Sequence, residues 1–466
     1  MPGEGFTPAQ WLVLVEHELL LFAGLFFLLG ALDELAVDLI WVWLRITGRG
    51  KSERLMADQE QLPLSGRAAV FIPAWREEAV IEATVRHALD AWPQADLRLY
   101  VGCYLNDPAT ARAARAGADG DGRLRVVIMS HPGPTTKADC LNGLYRALQD
   151  EERSSGVPFH MVVLHDAEDM VDPAALSLLD RHIGAADLVQ LPVLPHPMPQ
   201  SRWIASHYCE EFAEQHGKGM VVRDALGAGL PTAGVGCAIA RHALMTLDSR
   251  SAGEGPFAAE CLTEDYELGL GVSALGGNAR FVRCRTASGR LVATRACFPA
   301  KLEAAVRQKT RWVHGIAFQS WYRLGWSRNP ADLWMRLRDR RGPLTALVLL
   351  IAYLLLFLVS AGWIAQLAGF APEADLSPAL LVLLAINLAS FAWRAAWRFA
   401  FTAREYGAAE GLRAILRIPV TNVISIMAGR RAFVAYVASL GGRNPRWDKT
   451  EHIVHPALAA PHREAA

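Results

Sequence analysis

Charge is scarce in this 466-residue chain and neither sign prevails: 20% of residues are charged, and 47 Lys and Arg offset 47 Asp and Glu. A chain that coats nucleic acid normally carries a basic excess, so no nucleic-acid partner is expected. Cysteine is also sparse. The seven residues (103, 140, 209, 237, 261, 284 and 297) are odd in number, stand singly and show no CxxC or Cys/His ligand spacing. That pattern supports neither a disulfide framework nor a zinc site, and it fits a reduced compartment with buried thiols. No basic stretch precedes the first apolar run and no obvious small-residue cleavage site is present, so a cleaved signal peptide is not expected. There is no repeat of fixed period, and no low-complexity tract before the Ala/Pro-rich end after His455.

Apolar residues are abundant, at 52%, and unevenly spread. From Leu344 to Pro372 there is no charged side chain, and roughly 20 helical residues cross a hydrocarbon layer about 30 Å thick. A second run, Leu376 to Trp393, follows Glu373 and Asp375 and ends in Arg394 and Arg398, with Trp393 and Trp397 suited to a membrane interface. The pair reads as a transmembrane hairpin over about 344–398. Trp11 to Leu32 is apolar enough to span, although Asp33, Glu34 and Asp38 punctuate its continuation to Trp43. One long helix, part spanning and part packed on protein, fits that pattern. Arg45, Arg49, Lys51 and Arg54 follow this helix, and Arg336, Arg338, Arg340 and Arg341 precede the hairpin. The positive-inside rule then makes the large central region cytoplasmic and the acidic 372–377 loop external, in a multi-pass membrane protein. Residues 411–438 carry Arg413, Arg417, Arg430, Arg431 and Pro419, and read better as in-plane amphipathic helices than as a further span. Four segments result: 1–65 (helix and basic linker), 66–330 (soluble domain), 331–440 (membrane and interfacial helices) and a 441–466 tail.

The middle segment alternates short apolar runs with helical patterns. AAVFIPAW, LRLYVGCYL, RLRVVIMS, FHMVVLHDAEDM and LVQLPVLP read as strands, with EEAVIEATVRHALDAW and KADCLNGLYRALQD as helices between them. This spacing predicts an α/β fold with a mainly parallel sheet, whose ligands bind beyond the carboxyl ends of the strands. Polar residues sit there. His165, Asp166, Glu168 and Asp169 leave a strand directly, and such carboxylates suit a hard cation such as Mg²⁺ or Mn²⁺ that also accepts diphosphate oxygens. A solvated acidic turn is the bland alternative. Glu264 and Asp265 open a helix after Thr263, either as a cap or with one carboxylate as a general base. In RQKTRWVHG, Arg311 offers a guanidinium to a diphosphate, Trp312 a flat face to a sugar and Gln308 a hydrogen-bonding amide; alone, this is a basic helix near a membrane. Arg76, Glu77 and Glu78, then Asn106 and Asp107, follow strands where a nucleotide could lie, while Lys137 supplies a phosphate counter-charge and Asn142 a helix-borne donor.

The order PxxREE, NDPAT, KAxxLN, DAED, TED, QxxRW, then membrane helices resembles the membrane-bound family 2 glycosyltransferases of the polysaccharide-synthase type, over residues 66–326. LRIPVTNVISIMAGRRA and WDKTEH (447–452) are similar to the phage-adsorption protein B type within that family. The resemblance implies a GT-A-like, Rossmann-like domain and an inverting transfer from a nucleotide sugar, of which UDP-N-acetylhexosamine is the expected donor. It implies Asp166 and Glu168 as the DxD-type motif with Asp169 sharing the metal, Asp265 as base with Glu264 beside it, and Gln308, Arg311 and Trp312 on the diphosphate and acceptor. Glu78, Asn106, Asp107 and Lys137 fall on the nucleotide side. The implied acceptor is a growing exopolysaccharide glycan, with single transfer to a lipid-linked acceptor or a non-catalytic scaffold or receptor as alternatives. An outer-membrane export partner belongs to the implied setting. Three spans are few for a polymer channel, which favours a homo-oligomer or the lipid-linked acceptor. Chains of this type often add a cyclic-di-GMP-sensing domain, which the sequence to Ala466 does not include.

Overall fold

The computed structural model describes residues 8–50, 52–251, 253–368, 376–442 and 455–458, so WDKTEH and most of the acidic 372–377 loop lie outside the described residues. A long helix, α1 (Pro8–Ile46), precedes the sheet. Ala68–Ile72 form the heart of strand β1 (Arg67–Pro73) and are all buried, as expected of a strand covered on both faces. β2 (Leu97–Tyr104), β3 (Leu124–Met129) and β4 (Phe159–Leu164) continue the parallel sheet. β5 (Leu188–Gln190), β6 (Cys237–Ala240) and β7 (Ala279–Phe281) complete it, in the order β3-β2-β1-β4-β6-β5-β7. β6 runs antiparallel to both neighbours, and β5 pairs parallel with β7. LVQLPVLP, expected as one strand, is two: Pro192 has no amide to donate, and beyond it Val193–Pro195 leave the sheet to pair with Thr294–Ala296.

Helices α2 (Ile81–Ala91), α3 (Pro108–Ala118) and α4 (Lys137–Ser155) are the crossovers between the first four strands. α5 (His207–Glu214), α6 (Glu264–Ala274) and α7 (Leu302–Val313) gather at the carboxyl ends of the sheet. The crossovers are right for their faces: in α2, Ile81, Thr84, Val85, Ala88 and Leu89 recur at helical spacing and are buried. All seven cysteines are free, six of them buried, as the sequence suggested.

Among the described residues, four helices are long and apolar enough to cross a membrane: α1, α8 (Gly342–Leu367), α9 (Pro378–Tyr406) and α10 (Ile418–Leu440). The three acids in the second half of α1, Asp33, Glu34 and Asp38, are paired. Arg338 and Arg341 each bridge Asp33 and Glu34, Lys218 holds Asp38, and Arg394 reaches Glu34 at 3.2 Å and Glu214 at 2.6 Å. Trp393 donates to Asp38 at 2.8 Å and Trp397 packs edge-on to Trp41 at 5.3 Å, so both seal α9 against α1. The 411–438 segment is two helices, Ala408–Leu416 and α10, that meet at Arg417; Pro419 sits in the first turn of α10, where a missing N–H is harmless. Both ends of α10 touch the sheet domain: Arg417 pairs with Glu210 at 2.8 Å at one end, and Tyr436 stacks on Phe318 at 4.5 Å near the other.

Candidate active site

β4 delivers His165 and the acidic loop. Asp169 is buried, and its Oδ2 accepts from His165 Nδ1 at 3.0 Å and from the Asp166 amide at 2.9 Å. It therefore shapes the turn, while Asp166 faces the cavity and meets Lys137 Nζ at 2.5 Å. Lys137 is the first residue of α4, whose N-cap Thr136 accepts from Asp139 at 3.2 Å. Burial opposes the Lys137 charge, but Asp166, Glu264 and Asp265 outweigh it and hold the ammonium pKa above its ordinary value.

The loop before β6 brings Asp265 to that cluster. Gln190, buried in β5, accepts from the Ala233 amide at 2.8 Å and donates to Val235 at 2.9 Å. Gly234, at φ +74°, lies so close that an added Cβ would stand 2.8 Å from Asp265 Oδ2. Asp265 Oδ1 accepts its neighbour's amide, from Tyr266, at 2.7 Å. Thr263 occupies the N-cap position of α6, yet its hydroxyl makes no capping bond. Instead, the α7 segment presses on it: a Cβ at Gly315 would lie 2.3 Å from Thr263 Oγ1, which explains the glycine after RWVH. Burial, then repulsion from Asp265, pushes Glu264 up to about 7. Burial also raises Asp265, with Lys137 pulling the other way. A base must be ionised to work, so kcat/KM is expected to rise with pH along an acidic limb above the usual carboxylate range. A rate profile that is already flat from pH 5 upward would refute this.

Gln308, Arg311 and Trp312 lie one turn apart on α7 and share a face. Gln308 Oε1 is buried and accepts nothing from the described residues, leaving it to a ligand hydroxyl. Trp312 and Phe298 line the cavity, and the fully buried Tyr208 backs both, edge-on to Trp312 at 5.9 Å and stacked on Phe298 at 4.4 Å.

One cavity is lined by Lys137, Asp166, Glu168, Asp169, Glu264, Asp265, Gln308, Arg311 and Trp312. Acids from two distant segments thus share a single pocket. Glu78, Asn106 and Asp107 do not line it. Asp107 caps α3, taking the Thr110 amide at 3.4 Å and the Arg76 amide at 2.6 Å. Asn106 clamps Gly133 through both amide atoms, at 2.7 and 2.8 Å. Glu78 is exposed, while the buried Glu77 faces the cavity with Trp75, Tyr104 and Thr135. Asn142 is likewise engaged elsewhere, with Phe257 at 2.8 Å. Glu77→Gln is expected to raise the donor KM about tenfold, in line with loss of one charged hydrogen bond, and Glu78→Gln to leave it unchanged. Equal effects in initial-rate assays would contradict the placement.

Among the described residues no three His, Cys, Asp or Glu side chains form a closed metal cage. The pocket nevertheless fits Mg²⁺ or Mn²⁺. Asp166 and Glu168 offer hard oxygens beside a space for phosphates, and such ions take one or two carboxylates plus substrate phosphate oxygens.

The family model described as glycosyltransferase like family 2 matches residues 66–315. The chain is 31% identical over 472 residues to bacteriophage adsorption protein B of Escherichia coli (strain K12), covering 95% of this chain and 63% of that protein. Bacteriophage N4 adsorption protein B of Escherichia coli O157:H7 gives the same figures, so the chain spans just under two thirds of these relatives. In fold it is similar to the mannosyltransferase PcManGT from Pyrobaculum calidifontis, solved with GDP-Man and Mn²⁺, at a TM-score of 0.52 and 17% identity, over 88% of this chain and 99% of that one. With its GT-A-like sheet, its acids gathered at the carboxyl ends of the strands and its apolar helices, the chain belongs to the glycosyltransferase 2 family and is a relative of adsorption protein B.

Proposed function

We propose that the chain is an inverting glycosyltransferase of a bacterial inner membrane, which moves a sugar from a UDP-N-acetylhexosamine-type donor onto a growing exopolysaccharide glycan. The observation that carries this is the convergence of Lys137, Asp166, Asp265 and Arg311 from four separate segments on one cavity. Asp265 takes the proton of the acceptor hydroxyl. The oxygen attacks the anomeric carbon, the bond to the diphosphate oxygen breaks, and its electron pair leaves with the nucleoside diphosphate. Lys137 and Arg311 face that developing negative charge. When bound by Asp166 and Glu168, Mg²⁺ or Mn²⁺ supplies further charge neutralisation on the diphosphate. Trp312 orients the acceptor ring and Gln308 accepts from one of its hydroxyls.

We place three spans, α1, α8 and α9, with the sheet domain cytoplasmic and α10 in the membrane plane. Length and composition alone would let α10 cross. Its contacts with the sheet domain near both ends favour the in-plane course, because a crossing helix carries its ends to opposite sides.

The test uses purified chain in detergent with Mn²⁺ or Mg²⁺ and a panel of UDP- and GDP-sugars. Released diphosphate identifies the donor, product length on a gel separates polymer from single transfer, and NMR gives the anomeric configuration. Release is expected with a UDP-N-acetylhexosamine, dependent on metal and with inversion. No release from any donor would end the enzymatic reading, and retention would end the single-base mechanism.

A further inference from the structure

The acidic loop is held from behind by its own carbonyls. Thr84 donates to Ala167 at 2.5 Å, His87 to Val171 at 2.9 Å and Trp92 to Asp172 at 3.0 Å, all from α2 or the residue that ends it. Met170 pairs with Arg295 through both backbone groups, at 2.7 and 2.9 Å. The remaining support comes from far along the chain: His455 Nε2 lies 3.1 Å from the Asp169 carbonyl, across 286 positions. That carbonyl belongs to the residue closing the turn that begins at Asp166, where the Asp169 amide returns to the Asp166 oxygen at 3.3 Å.

His455 is built for this bond. It is fully buried, and its Nδ1 accepts the Ala457 amide at 3.1 Å, so the neutral ring carries its proton on Nε2 and donates it forward. The turn Pro456–Leu458 seats the residue against α2, the helix that supplies the other donors.

We propose that His455 is a positioning residue for glycosyl transfer: its Nε2–H fixes the Asp169 carbonyl and thereby the turn that presents Asp166 and Glu168 to the donor diphosphate and its cation. This rests on the reading of the loop as the donor site. Without the imidazole a buried carbonyl loses its donor, and the peptide plane is free to turn toward another partner. Outer-shell partners of this kind typically alter metal affinity or activity by about 10- to 100-fold.

The experiment compares wild type, His455→Ala and His455→Gln, the last retaining an N–H at a similar reach. Hydrogen exchange over residues 165–172, measured without metal or nucleotide, is expected to accelerate in the Ala variant only, with the rest of the sheet unchanged. Mn²⁺ binding, followed by its EPR signal, is expected to weaken about tenfold in Ala and to recover in Gln, with kcat falling in parallel. Unchanged exchange over 165–172 in His455→Ala overturns the proposal, as does acceleration spread across the whole sheet or a Gln variant that behaves like Ala. If wild type turns over no donor, the glycosyl-transfer reading fails separately, while the exchange pattern still decides the role of His455.

Discussion

Asp265→Asn is expected to lower kcat by about 10²- to 10⁴-fold, the usual worth of a general base, while donor affinity and thermal stability stay near wild type. The asymmetry follows from the geometry. Asn keeps the side-chain oxygen that accepts the Tyr266 amide, and it preserves the volume packed against Gly234. It cannot, however, accept a proton from an attacking hydroxyl. Lys137, Asp166 and Arg311 are untouched, so nucleoside diphosphate should bind as before in calorimetry. Normal turnover would remove Asp265 from the role of base. An equal loss of donor binding would place it on the donor instead.

Lys137→Met is the second large effect. The lysine is enclosed by Asp166, Glu264 and Asp265, and it alone among them is positive. Removing it leaves neighbouring buried acids uncompensated, and their neutral forms gain. The sign is definite: losing a nearby cation raises carboxyl pKa values, so the acidic limb of the rate profile moves to higher pH. Loss of the positive charge facing the leaving diphosphate should add a fall in kcat of about 10²-fold or more. Lys137→Arg, which keeps the charge, should return the limb toward wild type. A Met variant with an unshifted limb would show that Lys137 does not set the protonation of the pair.

The parts of this architecture legible in the sequence are those encoded by local runs. β1 to β4 are continuous apolar stretches, since strands buried on both faces need no polar alternation, and the crossover helices show their buried stripe. β6 escaped notice because CAIA is only four residues long and enters the sheet antiparallel, between strands distant in sequence. Asp166, Glu168, Asp265 and the Gln308, Arg311, Trp312 face were readable because each follows a strand or opens a helix at a fixed spacing. The resemblance points to Glu78, but the fold turns Glu77 to the cavity, since one step along an irregular turn reverses the direction of the side chain. Asn106 and Asp107 looked available because a sequence does not show which backbone amides will claim a carboxylate.

Composition and motif order by themselves determined that this chain has apolar helices and the motifs of the glycosyltransferase 2 family, because hydrophobicity, strand runs and short motifs are properties of neighbouring residues. Tertiary structure alone decided which acids share a pocket, which ones became loop supports, and that His455 stands behind Asp169. Those outcomes depend on close packing between segments separated by up to hundreds of residues, where a hydrogen bond forms only if the fold brings donor and acceptor within about 3 Å.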